Sequence, residues 1–140
     1  MPGDLERTLA ALEHAHVEYL IVGGVAVVLH GHLRVTADLD LVVKLEPANV
    51  QRALVALEGL GFRPRAPVAA VGFEVDLFVR EPFDFAATYA RAVRVQLDAC
   101  TATVIALADL IALKEAAGRP RDQEDVRALR ALAETDDGNG

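Results

Sequence analysis

At 140 residues, 53% hydrophobic and 25% charged, the chain is long enough for one domain with a sizeable core and too apolar for disorder. Its formal net charge of -7 disfavours non-specific adhesion to nucleic acid or to an anionic membrane, and it suits metal binding. With no Trp, 5% aromatics and one cysteine, Cys100, the core must be built from Ala, Val and Leu, an intrachain disulfide is excluded, and a reducing cytoplasm is the expected location.

The N-terminal MPGDLERTLA is neither basic nor apolar enough for a signal peptide. Asp4 is a good N-cap, and Leu5, Leu9 and Leu12 recur at helical spacing, so a first helix follows it. EYLIV (18–22) reads as a strand whose end is marked by Gly23-Gly24. VAVVLHG (25–31) suits either helix or strand by propensity. We read it as a short buried helix, because a strand ending in Gly-Gly needs a turn there. YLIVGGVAVVL is shorter than the roughly 20 residues of a membrane span, so no membrane association is expected.

ADLDLVV (37–43) is the second strand. EPANVQRALVALEGLG (46–61) predicts a helix with Pro47 in its first turn and Gly61 near its end. GFEVDLFVR (72–80) alternates as a third strand, with Phe73, Val75, Leu77 and Val79 opposite Glu74, Asp76 and Phe78. RAVRVQLDACTATVIA (91–106) offers two shorter strands around a turn near Asp98. A helix over 107–117 closes on Gly118, and a last helix runs from about 122 to 133 with Val126, Leu129 and Leu132 inward. The tail ETDDGNG (134–140) reads as disordered. This order predicts an α/β or α+β layered domain over residues 1–133, a mixed sheet flanked by helices.

The second strand poses the chemical question. Residues i and i+2 of a strand share a face, so Asp38 and Asp40 point the same way, about 7 Å apart. Like charges on an apolar strand repel and resist desolvation, so they call for cations. Magnesium meets that need, being hard and partial to carboxylate and water oxygens. If the second and third strands are neighbours, Asp76 joins the pair. Three carboxylates around one point can hold two magnesium ions about 4 Å apart, an arrangement for in-line phosphoryl displacement. Gly23-Gly24 lies between a strand and a helix, where backbone N–H groups can hold a phosphate that no Cβ obstructs.

The segment IVGGVAVVLHGHLRVTADLDLVV, with FEVDLFV after it, resembles the nucleotidyltransferase superfamily, the fold shared with polymerase β, over roughly residues 17–80. Gly23 and Gly24 match its glycine motif, Asp38 and Asp40 its acid pair, and Asp76 its third acid. HGHLRVTADLDLVV with DLIALKEAAGRPRDQEDVRAL further resembles small bacterial proteins related to abortive-infection (AbiEii-type) toxins, as far as residue 132.

The resemblance implies a minimal nucleotidyltransferase moving a nucleoside monophosphate from a triphosphate to a hydroxyl of protein or RNA, within a toxin–antitoxin pair. It implies Asp38, Asp40 and Asp76 as catalytic acids and metal ligands, and Gly23 and Gly24 as the cradle for the β- and γ-phosphates. It places Arg34 and Thr36 at the mouth of the site, and Lys114 is long enough to reach a triphosphate. The charges of LKEAAGRPRDQEDV read first as an ion-pair network across the Gly118-Arg119-Pro120 turn. A competing expectation is an inactive binding partner, an antitoxin or regulatory subunit, that keeps the fold and could dimerise through an apolar face. A metal-dependent phosphohydrolase is a third reading, without the extra His or Glu cluster it would need. The pairs His14/His16 and His30/His32 lack the further ligands of a zinc site, and Cys100 lacks an activating base in sequence.

Overall fold

The computed structural model describes residues 3–36, 38–64, 73–78 and 80–139, with side chains to Thr135. Helix α1 (Asp4–His14) leads into strand β1 (Tyr19–Val22) and helix α2 (Gly23–Leu29). Strand β2 (Asp38–Val43) and helix α3 (Pro47–Gly59) follow, then strand β3 (Glu74–Leu77), helix α4 (Phe85–Ala90) and strands β4 (Val93–Gln96) and β5 (Thr101–Val104). Helices α5 (Leu107–Ala117) and α6 (Pro120–Asn139) complete the chain. The result is a mixed α+β fold, a five-stranded sheet in the order β3-β2-β1-β5-β4 flanked by helices.

Every residue of β1 is buried, as its unbroken Tyr-Leu-Ile-Val run requires at the centre of a sheet. It pairs antiparallel with β2, from Tyr19 opposite Val43 to Val22 opposite Asp40, and parallel with β5 through Ile21 and Val104. β2 pairs parallel with β3. The ends of β1 and β5 and the starts of β2 and β3 therefore meet at one end of the sheet. Leu39 and Leu41 are fully buried, while Asp38 and Asp40 between them lie on the other face, half-buried. Helix α1 packs on α3 and β5, α2 packs on β1, β2 and α5, and α5 packs on α6.

At the opposite end of the sheet, Asn49 of α3 is fully buried and acts as a clamp. Its side chain accepts from Glu18 N at 2.8 Å and donates to the Glu18 and Lys44 carbonyls at 3.0 and 2.9 Å. It thereby ties the start of β1 to the end of β2.

Several boundaries differ from the sequence expectation. Gly3 is the N-cap of α1, and Asp4 is already helical. Helix α2 begins on Gly23 itself rather than at Val25. Helix α4 was not expected at all; it is six residues long, and Phe85 and Thr88 are its buried residues. The last helix continues to Asn139, whereas the sequence reading ends it near 133 and places a tail beyond. Ala37 and Val79, expected in strands, lie outside the described residues, as does Gly72.

Candidate active site

The two sequence-adjacent acids and the distant one are brought together by strand register. In the parallel β2–β3 pair, Asp40 stands directly opposite Asp76 and Asp38 opposite Glu74. Partners in register share a face, so the Asp40 and Asp76 carboxyls meet side by side. Asp76 is exposed at the sheet's edge strand, whereas Asp40 is half-buried. Burial pushes the Asp40 carboxyl up to about 6, assisted by hydrogen bonding to Asp76 and by the negative charges of Asp76 and Asp38. The positive charge of Lys114 opposes that rise and places the lysine within electrostatic reach of Asp40.

The two glycines make room for side chains of the site. Gly23 has φ of +70°, and a Cβ there would collide with the Asp40 carboxylate. At Gly24 a Cβ would stand 2.5 Å from Thr36 Oγ1 and 3.1 Å from Arg34 Nη2. The missing side chains thus admit the site's own acid, hydroxyl and guanidinium onto the backbone. Helix α2 is only seven residues long, so its dipole adds little. This corner therefore sets the Arg34 guanidinium and the Thr36 hydroxyl beside the Gly24 backbone.

A charge cluster, buried except for the partly buried Arg34 and the exposed Arg119, joins this corner to the C-terminal helices. Lys114, 7% exposed, lies 3.3 Å from Asp122 and 2.9 Å from Asp125. Arg119 pairs with Asp122 at 2.6 Å, and the Arg119 backbone N–H donates to it at 3.2 Å. The hydrogen bonds from Arg119 and Lys114 hold the Asp122 carboxyl down to about 2. The network expected across the Gly118 turn is therefore present, and Gly118 supplies the turn with φ of +66°. Sequence reading missed that Asp125 also binds Arg34, 91 residues away, at 3.1 Å. No local pattern signals a contact of that separation.

The acids are gathered pairwise through Asp40. Among the described residues, no three His, Cys, Asp or Glu side chains already stand around one metal point. The donor set nevertheless fits magnesium, which binds through one or two carboxylates and completes its shell with water and substrate phosphate. Of the histidines, His30 is engaged by the Ile105 carbonyl, 2.7 Å from its Nε2. Cys100 is buried, and burial raises its thiol pKa, which makes it a poor nucleophile. A mostly apolar hollow of about 340 Å³, lined by Leu5, Val25, Val28, Leu29, Thr36 and Phe73 among others, adjoins the glycine corner at Thr36. No helix among the described residues is long and apolar enough to cross a membrane.

Comparison with known proteins identifies a family and related folds. The family described as "Nucleotidyltransferase of unknown function (DUF6036)" matches residues 4–137. An antigenic nucleotidyltransferase-like protein from Paracoccidioides brasiliensis shares the fold, with a TM-score of 0.57 at 17% identity over 92% of this chain and 76% of that one. ANT(2")-Ia, solved in complex with adenylyl-2"-tobramycin, gives a TM-score of 0.57 at 16% identity over 91% of each chain. No curated protein matches the sequence.

Proposed function

The chain belongs to the nucleotidyltransferase family DUF6036, and on that premise we propose that it transfers a nucleoside monophosphate from a triphosphate to a hydroxyl acceptor, releasing pyrophosphate. The observation that carries this reading is the pairing of Asp40 with Asp76 against Gly23, next to Arg34 and Thr36 on Gly24. Carboxylates and an anion-holding corner side by side are what a magnesium–triphosphate complex needs.

In this reading Asp38, Asp40 and Asp76 would hold two magnesium ions. Bound there, the ions would neutralise the triphosphate and sharpen the acceptor hydroxyl as a nucleophile. Gly23 and Gly24 receive the β- and γ-phosphates, with Arg34, Thr36 and Lys114 supplying hydrogen bonds and positive charge. The acceptor oxygen bonds to the α-phosphorus as the bond from that phosphorus to the pyrophosphate oxygen breaks. The acceptor's proton passes to Asp76, the exposed and therefore accessible acid of the pair. The electron pair leaves with pyrophosphate.

The acceptor is a protein or an RNA hydroxyl. The net charge of -7 weighs against RNA and towards a protein or small molecule. ANT(2")-Ia, solved with adenylyl-2"-tobramycin, keeps a small-molecule hydroxyl among the acceptors to test. Similarity of the His30–Val43 and Asp109–Leu129 segments to abortive-infection toxins supports a cytoplasmic role in a toxin–antitoxin pair.

The test is incubation of the purified chain with each α-labelled triphosphate and magnesium. Separate arms contain an RNA pool, a protein lysate and an aminoglycoside. Label should move to one acceptor class with one preferred base, and Asp38→Ala should abolish it while the variant stays folded. Full activity in Asp38→Ala would exclude the proposed role of the acids, and no transfer in any arm alongside tight binding of a cognate protein would favour the inactive-partner reading instead.

A further inference from the structure

Asp125 is 2% exposed and lies on α6. Its Oδ2 accepts from Arg34 Nη2 at 3.1 Å and lies 2.9 Å from Lys114 Nζ, while its Oδ1 lies 3.1 Å from Arg34 Nε. Both cations border the candidate site, Arg34 against Gly24 and Lys114 within electrostatic reach of Asp40. Building on the function proposed above, we propose that Asp125 is a positioning residue: one buried carboxylate that aims Arg34 at the glycine corner and Lys114 at the acid pair, so that both meet the triphosphate.

Three features separate this from a mere helix tie. First, Arg34 sits in a stretch without regular structure, residues 32–36, whose Leu33 and Val35 are 83% and 93% exposed. Arg34 and Thr36 turn inward between them, and Arg34 Nη1 donates back to the Val35 carbonyl at 3.2 Å. Asp125 is thus the far anchor of the stretch that leads into Asp38. Second, the cluster is not neutral. Its ion pairs set three cations, Arg34, Lys114 and Arg119, against two carboxylates, Asp122 and Asp125, and the charges of Lys114 and Arg119 also act on Asp40 across the site. A pair serving packing alone would cancel, whereas a surplus of positive charge attracts a polyanion. Third, α5 and α6 already have a separate tie, the exposed pair of Glu115 and Arg130 at 2.8 Å. That pair lies outside the cluster and offers a control on the same two helices.

The test uses the full chain and calorimetric binding of each magnesium–nucleoside triphosphate. Asp125→Asn keeps the side-chain volume and removes the charge. Its dissociation constant should rise roughly tenfold or more, while Glu115→Gln changes it by less than about twofold. The double variant Asp125→Asn with Arg34→Gln should be weaker than Arg34→Gln alone by less than the full effect of Asp125→Asn, because only the Lys114 contact of Asp125 is then left to lose. Amide exchange over residues 32–36, measured without nucleotide, should quicken in Asp125→Asn and stay unchanged in Glu115→Gln. Should Asp125→Asn fail to fold, Asp125→Glu shifts both cations by one methylene and should show the same weakening.

A folded Asp125 variant that binds nucleotide as the wild type does overturns the proposal, as does additivity in the double variant. A wild type that binds no triphosphate removes the proposed function instead. In that case unchanged exchange at 32–36 in Asp125→Asn would overturn the anchoring as well.

Discussion

Asp40 shows at the scale of one residue why this strand carries acids. Its folded pKa, pushed up to about 6, lies above the ordinary carboxylate value of 3.8. The folded state therefore binds the proton more tightly than the unfolded chain does. Stability from this group is full below about pH 4 and is lost as pH rises through about 6. At pH 8 without divalent ions, Asp40→Asn should accordingly raise stability by roughly 2 kcal/mol while abolishing transfer. Urea unfolding at pH 8 and pH 4 checks the sign, since the gain should vanish at the lower pH. A loss of stability at pH 8 would show that the ionised acid is already well accommodated. Gly23→Ala belongs to the same corner. Its positive φ and the carboxylate where a Cβ would go should cost about 2 kcal/mol or more and displace Asp40, read as a fall in both melting temperature and nucleotide affinity.

At the scale of the element, helix α3 and the α5–α6 hairpin do different work at the two ends of the sheet. Asn49 on α3 satisfies backbone groups of Glu18 and Lys44 far from the acids. Asn49→Ala should cost about 3 kcal/mol by denaturant unfolding, yet leave nucleotide affinity unchanged in the folded protein. A cost under about 1 kcal/mol would show that water replaces the amide without loss. The α5–α6 hairpin instead stores its stability in charge. Asp122, held down to about 2 by Arg119 and Lys114, contributes stability that is complete above about pH 4 and lost as pH falls through about 2. Asp122→Asn should therefore lose roughly 2 kcal/mol at neutral pH, a difference that closes in acid.

Legibility in the sequence followed locality. The i, i+2 rule puts Asp38 and Asp40 on one face without any structure, and the alternation of the third strand fixes the face of Asp76. The contact between Asp40 and Asp76 needed one non-local fact, the β2–β3 adjacency. The α5–α6 ion pairs were legible because helical spacing across a Gly turn is local. The Arg34–Asp125 pair was not, since it joins a loop to a helix 91 residues later. Helix α4 escaped because six residues, FAATYA, are too few to display a 3.6-residue period.

At the scale of the whole molecule, the sheet order gathers the ends of β1 and β5 and the starts of β2 and β3 at a single rim. That rim carries the acids, the glycine corner and, through α5 and α6, the surplus cations. The most direct measurement is a crystal of the wild-type chain soaked with manganese and a non-hydrolysable nucleoside triphosphate, with the metal located by anomalous scattering. The account predicts manganese at the carboxylates of Asp38, Asp40 and Asp76, with phosphates on Gly23 and Gly24. Nucleotide bound elsewhere, or a salt bridge from Lys114 to Asp40 in place of any metal, would contradict it.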